Sequence, residues 1–228
     1  MKTPHAPPTT LLFYGTSAGG QAFDGDVQGG NPFATALIEL TSDPGTRLGN
    51  LGARLRQRVA RATQRRQLPE VPAQAWPDDW RFVQPLGAAS ESRLALVLVV
   101  SRYADPRVPP LYGAAHDERR VASMLAMHGF SVTQTVQPTR AGILKALAAL
   151  SRRSTRHDAV LLYATAHGVE AASSTYLLPS DYPFDRGYAP DTLRRHAIPV
   201  RRLTTALRGS RTNLVFFAGC RSRVPPAV

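Results

Sequence analysis

Two rhythms of apolar residues alternate along this chain. Continuous apolar runs at 94–100, 158–165 and 213–218, bounded by polar or glycine residues, read as strands buried on both faces. Residues 130–136 and 176–178 read as further strands. Between them, 116–127, 139–151 and 200–207 carry helical spacing, the second begun by a Thr139 cap after Pro138. Nearer the N-terminus, 9–16 predicts a strand, and 17–31 a glycine- and aspartate-rich loop in which Asp24-Gly25 is a turn signal. Pro32 opens a helix through residue 40, capped by Asn31. Leu48, Leu51, Leu55, Val59 and Ala62 then recur at three- and four-residue steps, an amphipathic helix whose other face carries arginine. Prolines break 67–79, 80–84 predicts a short strand, and small residues fill a linker at 85–92.

Strands separated by helices predict a largely parallel α/β sheet, whose carboxyl strand ends are where ligands bind. His167 follows the run at 158–165, and Cys220 follows the run at 213–218. An imidazole and a lone thiol delivered to one sheet edge are a candidate nucleophile and base. A lone cysteine after an apolar strand is more often a small buried hydrophobe, so context must carry the assignment.

Composition narrows the setting. A hydrophobic fraction of 43% supports a full core, and a single cysteine excludes an intrachain disulfide or a multi-thiolate zinc site. The N-terminal residues lack an apolar core of signal-peptide length, and no apolar run is long enough to span a bilayer. The expectation is a soluble, cytoplasmic protein that meets no membrane. The net charge of +12 raises nucleic acid as a partner. The arginines are scattered, however, and partly on helices where a solvated face is the ordinary reading, so nucleic acid ranks well behind.

Several blocks carry a family resemblance. Arg93-Leu-Ala-Leu-Val-Leu, Leu111-Tyr-Gly-Ala-Ala-His-Asp117, Gly129-Phe-Ser-Val, Tyr163-Ala-Thr-Ala-His167-Gly168, Tyr176-Leu-Leu-Pro179, Ile198-Pro199 and Asn213-Leu-Val-Phe-Phe-Ala-Gly-Cys220-Arg221 occur in this order. Together they resemble the large-subunit region of caspase-like cysteine peptidases, bacterial metacaspase relatives above all. The separation of 53 residues between His167 and Cys220 is close to the roughly 50 of caspases. Leu12-Phe-Tyr-Gly-Thr16, Ala22-Phe-Asp24-Gly25, Asn31-Pro-Phe33, Gln67-Leu-Pro69 and Trp80-Arg-Phe82 are similar to the small-subunit region, which normally follows the cysteine.

The resemblance implies a single caspase-like domain over 1–228: a small-subunit-like segment 1–84, a linker 85–92 and a large-subunit-like segment 93–228. The fold it implies is a three-layer α/β sandwich, a mainly parallel six-stranded sheet flanked by helices, in circularly permuted order. The linker spans about 35–40 Å when extended, enough to cross four strands. A permuted monomer, a segment-exchanged dimer, and the tail of one domain fused to the head of another all satisfy the order. For function, the resemblance implies a cysteine-type endopeptidase acting on a peptide or protein substrate with no cofactor. Cys220 would be the nucleophile and His167 the base, with the Gly168 and Cys220 N–H groups as oxyanion donors. Thr16 and Ser17 would lie along the substrate backbone, and Asp117 would favour a basic residue. Ala218 stands where relatives carry a second pocket aspartate, which weakens that preference. No calcium-loop motif is present, and no metal site is expected. The alternative is a catalytically inactive caspase-like module that binds a peptide or protein partner.

Overall fold

The computed structural model describes residues 10–25, 29–72, 79–209 and 211–223; Thr9 and the stretch 73–78, part of two sequence-based readings, lie outside them. In chain order the elements are β1 (Thr10–Tyr14), α1 (Pro32–Thr41), α2 (Leu48–Ala62), β2 (Arg93–Val99), α3 (Tyr112–Met127), β3 (Phe130–Val136), α4 (Arg140–Ser154), β4 (Ala159–Thr165), β5 (Gly168–Ala171), β6 (Ser174–Leu177), α5 (Pro190–His196), β7 (Ile198–Pro199), α6 (Arg201–Thr204), β8 (Thr212–Phe217) and β9 (Ser222–Arg223). The main sheet has the order β1-β8-β4-β2-β3 and is parallel throughout. It is five-stranded among the described residues, where six strands were expected.

The missing strand is 80–84. Its carbonyls do not join a ladder, because the buried Arg93 guanidinium takes them: Nη1 donates to Phe82 O at 2.7 Å and Nη2 to Arg81 O at 2.9 Å. Trp80 and Phe82 still pack on the core, their ring centroids 5.0 Å apart.

Three layers follow from the pleat, which sends alternate residues to opposite faces. Ala95, Val97, Leu161, Tyr163, Leu214 and Phe216 meet α1, α2 and α3 on one face. Leu94, Leu96, Val160, Leu162, Val215 and Phe217 meet α4 and α6 on the other. Central strands β2, β4 and β8 are buried at every position, which is why their sequences read as unbroken apolar runs. β1 joins the edge of this sheet beside β8, so the first segment and the last strand are hydrogen-bonded neighbours.

Two further departures shape the site. α3 begins at Tyr112, four residues before the predicted start, because the Asp24 carboxylate accepts from Gly113 N at 3.0 Å and Ala114 N at 2.9 Å. A Cβ at Gly113 would collide with the Asp24 carbonyl oxygen at 1.3 Å, so only glycine admits this approach. Beyond β4, a small second sheet of order β7-β6-β5-β9 stands where the sequence predicted one strand at 176–178, and α6 is shorter than the predicted 200–207.

Candidate active site

β4 and β8 are adjacent and parallel, with Ala164 registered against Phe217. His167 and Cys220 each lie three residues beyond that pair, so two stretches far apart in sequence leave the sheet side by side. The pairing continues past them: Ala218 N donates to Ala164 O at 2.8 Å, and Val169 pairs with Ser222 in β5 and β9. Both side chains line one cleft of about 370 Å³, together with Gly168, Val108, Val169, Leu178, Phe184 and Tyr188 among others.

His167 is held by aromatic neighbours. Its backbone N–H donates to Tyr103 Oη at 2.6 Å, and its ring lies 4.9 Å from the Tyr103 ring and 6.4 Å from Phe184. Nε2 is buried with no hydrogen-bond partner among the described residues. Burial lowers the imidazole pKa from its ordinary 6.5, and the Asp24 carboxylate opposes that shift weakly. Its burial therefore favours the neutral form of the imidazole.

Cys220 is half-buried, and its Sγ faces the first segment. Ala22 N donates to Sγ at 3.3 Å, and Sγ donates to Ala22 O at 3.5 Å. Burial pushes the thiol above its ordinary 9.0, the Ala22 N–H favours the thiolate, and Asp24 disfavours it. Among the described residues no direct hydrogen bond joins Sγ to the imidazole; the sulfur's hydrogen-bond partner is Ala22.

The loop that carries Ala22 is anchored at several points. Gly15 N donates to Phe217 O at 2.7 Å, tying the loop to β8. The fully buried Gln67 donates from Nε2 to Gly15 O at 2.8 Å and accepts from Phe23 N at 2.9 Å. Arg221 N donates to Gly20 O at 3.0 Å. The Arg221 side chain is buried, pairs with Glu70 at 2.5 Å and Glu170 at 3.4 Å, and lies over the Tyr14 ring at 4.1 Å.

The remaining predicted residues fall outside the cleft lining. Thr16 is buried and Ser17 exposed, both on the loop that leads to Ala22. Asp117 is fully buried on α3, accepting from Asn31 N at 2.8 Å and pairing with Arg120 at 3.0 Å. Sequence reasoning missed Tyr103 and Phe184, neither of which belongs to a block that announces chemistry, and it noted Ala22 only within the small-subunit-like Ala22-Phe-Asp24-Gly25 block, with no link to the thiol. Asp24 gave a turn signal, but its link to α3 crosses 89 residues. A larger cleft of about 630 Å³ between α1 and α2 is lined by Arg54, Arg58, Arg61 and Arg66 and holds neither thiol nor imidazole. Among the described residues, no group of three or more His, Cys, Asp or Glu side chains is arranged to hold a metal ion, and no helix is long and apolar enough to cross a membrane.

Comparison with protein families matches residues 92–226 to the caspase domain. That span begins one residue before β2 and contains both His167 and Cys220, while β1, α1 and α2 precede it. No curated protein matches the chain.

Proposed function

This chain belongs to the caspase-domain family of cysteine peptidases, and from that premise we propose that it is a cysteine-type endopeptidase with Cys220 as nucleophile and His167 as proton carrier. The observation that carries the reading is the shared register: both residues stand three positions past the Ala164–Phe217 pair and open on one cleft. The first segment then serves as the counterpart of the small subunit, since β1 extends the sheet beside β8.

In this mechanism a peptide enters the cleft and Sγ turns from Ala22 toward the imidazole. The sulfur attacks the scissile carbonyl as its proton passes to His167, and a C–S bond forms while the carbonyl oxygen gains the charge. The Gly168 and Cys220 N–H groups are the proposed donors to that oxygen. Collapse breaks the C–N bond, and His167 returns the proton to the leaving amine. Water then attacks the thioester, His167 takes its proton, and the acid product departs as the thiol reforms. Thr16 and Ser17 are the proposed contacts to the substrate backbone. A basic preference through Asp117 is the weaker part of the reading, because that carboxylate is already engaged by Arg120 and Asn31.

A second reading, a peptide-binding module without turnover, draws on one observation: Sγ is engaged by Ala22 rather than by the imidazole. Hydrolysis of a peptide library separates the two. A peptidase cuts, and loses at least about a thousandfold in rate in both Cys220→Ala and His167→Ala. Binding without cleavage by the unaltered chain would favour the module.

A further inference from the structure

The cleft beside His167 has a chemical character of its own. Leu178, fully buried, and Val169 form part of its lining, with the half-buried rings of Phe184 and Tyr188 beside them. Those rings are braced: Phe184 meets Tyr188 edge-on at 6.5 Å, and Tyr188 stacks on the buried Tyr182 at 6.0 Å. Val108 and Pro109 complete the apolar lining. No acidic residue is among the described lining residues, and the one cation, Arg107, is held by Asp105 at 2.6 Å. An open volume of about 370 Å³ with such walls suits an apolar side chain better than a charged one.

Its position says which side chain. Resting on the dyad proposed above, the imidazole must hand its proton to the amine that leaves, so the half of the peptide following the scissile bond lies on the His167 side. Phe184 packs against that imidazole, and Gly168 and Val169 run on directly from it. We propose that this cleft is the leaving-side subsite and that it selects an apolar residue, aromatic or branched, immediately after the scissile bond.

The test is a peptide library digested by the full chain, with cut sites read by mass spectrometry. Phe, Leu, Tyr and Ile are expected directly after the cut about tenfold more often than Gly, Asp or Glu. Tyr188→Ala and Val108→Asp, checked for an unchanged melting temperature, are expected to reduce that bias to within about twofold while cleavage continues. Cleavage with no bias at this position overturns the subsite and leaves the peptidase reading intact. Should no peptide be cut, the peptidase reading fails, and the subsite is judged by binding to Cys220→Ala. A short peptide with a free N-terminal Phe is expected to bind about tenfold more tightly than its Gly counterpart, and equal affinity overturns the inference.

Discussion

Gly168 is packed so closely on Cys220 that a methyl group on it would stand 2.3 Å from the Cys220 carbonyl oxygen. The obstacle is backbone, which cannot swing aside as a side-chain tip does. The contact fixes the residue after His167 against the residue proposed as nucleophile, and the β5–β9 pairing starts immediately beyond it. The absence of a side chain at 168 is thus a requirement of the site's own packing.

Gly168→Ala is expected to push the two segments apart. Overpacking of this kind costs about 1–3 kcal/mol of stability. The loss in kcat should be larger than stability alone explains, about a hundredfold, because a proposed oxyanion donor moves with the backbone. Thermal melts and peptide hydrolysis on one preparation check both, and a variant with unchanged kcat would remove Gly168 from the site.

Two titratable groups of the cleft, His167 and Cys220, set opposite flanks of a pH profile. His167 has its pKa lowered by burial, so the unfolded chain takes up a proton below about 6.5 more readily than the folded chain, and stability falls as pH drops through that region. Cys220 has its pKa raised by burial, so the unfolded chain loses its proton first, and stability falls as pH rises through about 9.0. Greatest stability is expected between these limits. Urea unfolding across pH should show the acid flank flatten in His167→Ala and the alkaline flank flatten in Cys220→Ala. Alkylation of the free thiol by iodoacetamide should be slow at pH 7 and still be accelerating above pH 9.

What the sequence revealed follows from which interactions are local. β2, β4 and β8 were legible because strands buried on both faces need apolar residues at every position. That His167 and Cys220 leave the sheet side by side was legible because each stands within three residues of the end of such a strand. The start of α3 was hidden, since its cap is a carboxylate from the loop at Asp24 rather than a neighbouring residue. Residues 80–84 have strand-like composition, yet Arg93 claims their carbonyls, a contact no local pattern encodes. Tyr103 reaches His167 across 64 residues, and nothing near Tyr103 in sequence signals that role.

Arg221 joins the cysteine loop to β1, to β5 and to the stretch that carries Glu70, through the face of Tyr14, Glu170 and Glu70. Glu70 is half exposed, so water recovers part of what its loss removes. Arg221→Ala is expected to cost about 1–3 kcal/mol, measured by urea unfolding, with a fall in kcat as the Cys220 loop loosens. Arg221→Lys should recover little of either, because an ammonium on a flexible stem does not offer the planar fork that meets two carboxylates and stacks on a ring. Full recovery by lysine would show that charge alone matters there.

Gln67 links the first segment to the thiol without touching it. Its amide ties Gly15 and Phe23 on either side of the loop whose Ala22 covers Sγ. Gln67→Ala removes both bonds from a fully buried position and leaves the two backbone groups unpaired, at a cost of about 1–3 kcal/mol. The loop should then leave the sulfur more often, so iodoacetamide is expected to modify Cys220 several-fold faster under conditions where the variant stays folded. Labelling followed by mass spectrometry, alongside circular dichroism, separates this local release from global unfolding, since the buried core amides would stay protected from hydrogen exchange only in the first case. An unchanged labelling rate would mean that Ala22 does not govern access to the thiol, and the turn of Sγ toward His167 would then need no movement of the first segment.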